Sequence, residues 1–248
     1  MKKRIGSVIL MLAGATAVFS VDFSLSAGAG GFLGGFFTRY TLKADGMVDG
    51  NPVKINAEQE MDQFNYGFFA FFDATYGEFS FSFQNGANTF KEPVDIAEVG
   101  SADRNGKGWD TVLGLSLLGR YPFILGERLT VFPLLGLEYQ ICLEQLRTTS
   151  AGNVYDRTNG VHEKDKDGKA YRPEDWNSLW IDIGGGLDFA LLSGFYIRGE
   201  LLYGFRLMTP YEIKNLDMMK SMTGDPNPKL GGLTSGPSVR ISAGYRFL

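Results

Sequence analysis

The sequence is poor in the residues that perform most protein chemistry. Its 248 residues contain one cysteine, Cys142, and one histidine, His162. A lone thiol excludes an internal disulfide framework, so the fold must be held by packing. No spacing for a zinc site or a phosphate-binding loop is present. His162 stands in a run rich in Lys and Asp with no serine-rich partner nearby. A base for acyl transfer and an exposed loop residue are the two readings of it. Positive charge is also short, with 24 Lys and Arg against 28 Asp and Glu, so nucleic acid is not an expected partner. Past residue 20 no stretch is apolar for long enough to cross a bilayer as a helix, which excludes a helical membrane protein.

Glycine and aromatic residues are abundant, at 33 residues and 14%, a balance that suits twisted β-structure better than helix. Residues 1–20, MKKRIGSVILMLAGATAVFS, place three cations before a short apolar stretch and small residues. They are expected to be a secretory signal peptide, with a membrane anchor as the alternative. Its loss leaves 21 cations against 28 anions, a net charge of −7. Residues 21–248 then form a single expected domain.

That domain alternates. In NSLWIDIGGGLDFALLSGFYIRGELLYGF, Leu179, Ile181, Ile183, Leu187 and Phe189 form one row, and Trp180, Asp182, Gly184, Gly186 and Asp188 form the other. The same period of two recurs with Phe64, Tyr66, Phe68, Ala70 and Phe72, with Leu113, Leu115 and Leu117, with Leu135, Leu137 and Tyr139, and with Val239, Ile241, Ala243, Tyr245 and Phe247. About eight strands result, most of them long enough for a tilted membrane crossing. Short connections at Tyr76 to Glu78, Pro122 to Arg128 and Leu192 to Gly194 take turns with connections of about 20 to 35 residues, longer than ordinary hairpins need. Trp109, Trp176, Trp180, Tyr139 and Tyr203 fall on the long-loop side, and Tyr76, Tyr121, Tyr245 and Phe247 on the other. Two such levels are what the two bilayer interfaces require.

With these features the chain resembles the small bacterial outer-membrane barrels of the OmpX, OmpW and OmpA-transmembrane type. The C-terminal RISAGYRFL is similar to the assembly signal of that class, with Arg240, Ser242, Tyr245 and Phe247 in its pattern, although Ser stands in place of Gly and Leu248 follows the last aromatic residue. The resemblance implies an all-β, eight-stranded antiparallel transmembrane β-barrel with long extracellular loops and short periplasmic turns, in the bacterial outer membrane. It also implies contact with outer-membrane lipid and recognition of the C-terminal strand by the barrel-assembly machinery. Two non-enzymatic roles are compatible with it. One is interaction with a surface protein or envelope stabilisation through the loops; the other is a narrow conduit for a small hydrophobic ligand.

The polar rows are expected to face the lumen. They carry Glu138, Asp182, Asp188 and Glu200 against Arg120, Arg198, Arg206, Arg240 and Arg246. An ion path and a core of salt bridges are the two readings, and an eight-stranded lumen is just wide enough to be filled by side chains. Phe69, Phe71, Phe132 and Leu134 lie on the same inward rows and keep the hydrophobic conduit in play. Glu163, Asp165, Asp167 and Glu174, with Gly168 between, have the spacing of a calcium loop, diluted by Lys164, Lys166 and Lys169. Calcium is therefore the one candidate cofactor, beside the alternative of a solvated loop. Finally, Thr209, Pro210 and Glu212 form a helix start, with Ile213, Leu216, Met219 and Met222 near one face of an amphipathic segment that Gly224 ends.

Overall fold

The computed structural model describes residues 23–48, 51–96, 100–149, 154–156, 163–164, 170–171, 176–207, 209, 212–213, 216–217, 220–221, 224–225 and 227–247. Its strands are β1 (Leu25–Val48), β2 (Asn51–Ala74), β3 (Gly77–Ile96), β4 (Gly100–Arg120), β5 (Phe123–Leu125), β6 (Leu129–Thr149), β7 (Val154–Asp156), β8 (Glu163–Lys164), β9 (Ala170–Tyr171), β10 (Ser178–Ala190), β11 (Phe195–Arg206) and β12 (Lys229–Arg246). Eight of them pair in the circular order β1, β2, β3, β4, β6, β10, β11, β12, every neighbour antiparallel, and β12 returns to β1. The sheet has no free edge around its girth, so every backbone group there can be paired, the condition for crossing hydrocarbon with strands.

The two faces separate as the alternation requires. Leu33, Phe68, Phe81, Leu117, Leu135, Ile183, Leu201 and Ile241, one from each barrel strand, are 43–66% exposed on the outside. Asp73, Glu78, Arg120, Glu138, Asp182, Asp188, Arg198, Glu200 and Arg240 are buried on the inside. A water-soluble chain would reverse this, because exposed apolar belts drive association and buried charges are costly. At the short-turn end Tyr76 stacks on Tyr121 at 5.8 Å and Tyr245 meets Phe195 at 4.9 Å. At the other level Tyr66 meets Trp109 at 6.0 Å.

Three expectations are corrected. The connection between β1 and β2 and that between β3 and β4 are not long loops. Both hairpins stay paired past the apolar belt, from Leu25↔Ala74 to Val48↔Asn51 and from Gly77↔Gly119 to Ile96↔Gly100. Above the belt the outer row becomes charged, as in Arg39 with Glu60 at 3.4 Å and Asp62 at 3.1 Å, so hydropathy no longer marks it as strand. Trp180 does not join the outer girdle: it shares parity with Asp182, lies in the lumen 4.4 Å from Phe36, and its indole N–H donates to Ser178 Oγ at 2.8 Å. Arg246 is exposed at the short-turn mouth rather than enclosed, with its guanidinium 5.8 Å from the Tyr196 ring.

The partners of β4 slip between Thr111 and Val112, which face Glu144 and Cys142. Leu143 is left over as a β-bulge, and beyond it the inward parity of β6 changes from Gln140 and Cys142 to Gln145.

Candidate functional site

The lumen is built in tiers. Nearest the short turns, the guanidinium of Arg198 is the hub. It donates to Asp73 at 2.5 and 3.2 Å, to Asp188 at 2.7 and 3.1 Å and to Glu78 at 2.7 Å, and approaches Glu200 at 3.7 Å. Arg120 bridges the same Asp73 at 2.8 Å and Asp188 at 3.1 Å. The Tyr196 hydroxyl donates to Ser26 Oγ at 3.1 Å, and Ser26 donates to Asp73 at 2.9 Å. Bidentate guanidinium–carboxylate bonds of this kind fix geometry as well as energy. Arg198 meets Glu200 within β11 and Asp188 on the neighbouring β10, but its bonds to Asp73 of β2 and Glu78 of β3, and those of Arg120 of β4 to Asp73 and Asp188, join strands that are not neighbours, so the network crosses the barrel.

The aromatic rings of the inward rows cover this network. Arg120 lies 3.9 Å from the Phe132 centroid, Arg198 lies 4.5 Å from Phe71, and Arg240 lies 5.3 Å from Phe69. Gly186 makes room for one of them, since a Cβ there would stand 2.6 Å from the Phe132 ring and 2.9 Å from Glu200 Cγ. Phe69, Phe71 and Phe132 therefore pack against cations, and Leu134 packs with Phe132 and Leu118.

One tier up, Arg240 pairs with Glu138 at 3.1 Å and Gln140 donates to the other Glu138 oxygen at 2.7 Å. Above that the lumen opens into a chamber of mixed polar and apolar lining. Gln63, Asn65, Gln84, Gln140 and Gln145 line it with Trp176, Trp180 and Phe36. Gln63 donates to Asn65 at 2.7 Å, and Arg147 engages Asp110 at 3.5 Å together with Asn88.

The mouth is strapped by the segment after β11. The amide of Thr209 donates to Glu212 Oε2 at 2.7 Å and the Glu212 amide donates to Thr209 Oγ1 at 3.3 Å, the reciprocal arrangement of a capping box. The other Glu212 oxygen receives Arg206 at 2.8 Å, and Arg206 also reaches the Tyr40 hydroxyl of β1 at 3.3 Å. At the far end Asp225 accepts the amides of Asn227 at 2.8 Å and Asp45 at 3.0 Å, and these two bonds hold its pKa below the ordinary carboxylate value.

Of the charges assigned to the interior from sequence, Glu138, Asp182, Asp188, Arg120, Arg198, Glu200 and Arg240 come together in the lower and middle lumen. Arg206 lies higher, lining the upper chamber and pairing with the strap, and Arg246 is at the exposed rim. Asp73 and Glu78 were missed although they complete the hub. Their signal is parity: Asp73 continues the inward row of Phe69 and Phe71, and Glu78 begins that of Ser80 and Ser82. In the calcium spacing, the Glu163 backbone pairs with Tyr171. Asp165, Asp167, Glu174 and His162 lie outside the described residues, as do residues 1–20 and, in the strap, Met219 and Met222.

A closed antiparallel barrel with an apolar belt outside and charges inside is a transmembrane β-barrel. No family model matches the chain, and no curated protein matches it. Among solved structures it is similar to Ail of Yersinia pestis, at 15% identity, 89% of this chain, 99% of that one and a TM-score of 0.31. It is similar to the outer-membrane protein OprG of Pseudomonas aeruginosa at 15% identity, 90% and 97% coverage and a TM-score of 0.31. It also matches the outer-membrane protease OmpT of Escherichia coli at 7% identity, 92% and 98% coverage and a TM-score of 0.32. Likeness at this level assigns no activity.

Proposed function

We propose that the protein is a non-enzymatic integral barrel of the bacterial outer membrane, closed to ions, whose specific role lies in the structures raised above the membrane on the long-loop side. The observation that carries this reading is the Arg198 hub. Five strands, β2, β3, β4, β10 and β11, send charged side chains to one point and bond them across the lumen. No water column can pass such a point without breaking several charge-assisted bonds. The paired walls of β1 to β4 then extend outward, with Arg39, Glu60 and Asp62 on the outer rows of β1 and β2, a platform for a surface partner or for neighbouring envelope components. The exposed Tyr245 and Phe247 at the end of β12 support recognition of that strand by the assembly machinery.

A hydrophobic conduit is less well supported, because the rings of the lower lumen are packed against guanidinium groups, although the chamber above mixes amides with Phe36, Trp176 and Trp180. The test is electrical. Refolded protein in a planar bilayer is expected to show no steady conductance at neutral pH, and to migrate differently on a gel before and after boiling. A stable open level would overturn the closed-lumen reading.

A further inference from the structure

We propose that the lower lumen is also a proton-binding site, and that the closed barrel loosens as alkali removes the protons it holds. The proposal rests on the closed lumen described above. Its first ground is a count of charge. Asp73 from β2, Glu78 from β3, Glu138 from β6, Asp182 and Asp188 from β10 and Glu200 from β11 are all buried there. The described cations enclosed with them are Arg120 of β4, Arg198 of β11 and Arg240 of β12. β1 contributes only the hydroxyl of Ser26. The other lumenal charges cancel one to one nearer the mouth, Asp110 with Arg147 and Glu212 with Arg206. Arg246 stands at the exposed rim. Six carboxyls therefore share three guanidinium groups inside an apolar belt, and full ionisation would leave three negative charges there without a counter-charge, which low-dielectric surroundings strongly disfavour.

The second ground is independent of the count. Neither oxygen of Glu200 accepts a hydrogen bond, although the residue is only 3% exposed. Its one cationic contact is Arg198 at 3.7 Å, and that guanidinium is already committed to Asp73, Asp188 and Glu78. Glu78 Oε1 and Asp182 Oδ2 are likewise buried without a hydrogen bond. An ionised carboxylate in that position lacks every bond it had in water. A carboxylic acid carries no charge and gains a donor of its own. The ligand that fits without displacing any side chain is a proton.

The sign follows from linkage. In the unfolded chain these carboxyls ionise at ordinary values, about 3.9 for Asp and 4.3 for Glu. Above that range the folded barrel holds protons that the unfolded chain does not, so stability is greatest at mildly acidic pH and falls as pH rises. Each retained proton lowers the folding equilibrium constant tenfold per pH unit until it is released. The sequence makes this readable, because His162 is the only histidine and few other groups titrate between pH 5.5 and 8.5.

The experiment is a urea titration of the refolded protein at several pH values across this range at constant KCl, with conductance recorded in parallel. The expected result is a folding constant that falls by about tenfold or more per pH unit over part of the range. Glu200→Gln, which copies the protonated form, should flatten that slope and raise stability at the alkaline end. Asp182→Asn provides the same test if Glu200→Gln does not fold. A pH-independent midpoint, or an unchanged slope in the variants that fold, overturns the proposal. So does a slope that disappears in His162→Gln, or one that follows KCl concentration in place of pH. Steady conductance at the acidic end would instead overturn the closed-lumen reading, so the two failures are distinct.

Discussion

Replacing Arg198 by Ala removes the one side chain that touches Asp73, Glu78, Asp188 and Glu200 together. Each of those carboxyls is at least nine-tenths buried, so none can recover its lost bonds from bulk water. Breaking a single buried pair typically costs about 3 to 5 kcal/mol, most of it the penalty on the partner left behind. Arg120 still reaches Asp73 and Asp188 and Glu200 accepts no hydrogen bond, so the loss falls mainly on Glu78, which receives Arg198 at 2.7 Å, and we expect a value inside that range, not a multiple of it. The unfolding equilibrium should then shift by roughly 10² to 10⁴. Urea titration in lipid vesicles, followed by tryptophan fluorescence, reads it directly. The double variant Arg198→Met with Glu78→Gln should recover part of the loss, since removing both partners of a buried pair is far less harmful than removing one. A change below about 1 kcal/mol for Arg198→Ala, the range of an exposed pair, would refute the claim that the hub is water-free.

Three smaller perturbations test the region above the belt. Glu212→Ala removes both the capping box and the pair with Arg206, and amide exchange at Thr209 and in the following turn should accelerate while the barrel's melting point moves little. Loss of a cap costs about 0.5 to 2 kcal/mol, confined here to the strap. Arg39→Ala, an exposed pair on the outer wall, should change neither. Asp225 gives an acid-side prediction: because its pKa is lowered in the folded chain, its contribution is present above the ordinary value of 3.8 and is lost as pH falls through the lowered one. Protection of the Asp45 amide, measured against its intrinsic exchange rate, should fall across that acid window, and Asp225→Asn should make it less pH-dependent.

Much of the membrane belt was legible in the sequence because lipid outside and side chains inside impose opposite demands on successive residues. Leu179 against Trp180, or Ile197 against Arg198, is enough to assign a face. Above the belt water bathes the outer wall, Arg39 and Asp62 replace Phe37 and Phe64 on the same rows, and the contrast that revealed the strand disappears. The sequence places Glu78 in the turn from Tyr76 to Glu78, whereas the pairing Gly77↔Gly119 shows that the strand has begun one residue before it. What parity cannot supply is azimuth. It assigns Arg198 and Asp73 to the interior, but their contact depends on how eight strands wind around a closed axis, information spread over every register in the sheet.

The bulge at Leu143 has a consequence for how β6 presents its two faces. An insertion of one residue in a strand ordinarily turns every side chain beyond it to the opposite face. Here the parity of β6 already changes, near the height at which the apolar belt gives way to the raised wall. The row above that joint, Gln145 onward, faces inward on the opposite parity from the Glu138 and Phe132 row beneath. In β6, therefore, the facing pattern of the membrane segment and that of the segment above it are set separately, and the bulge is the joint between them.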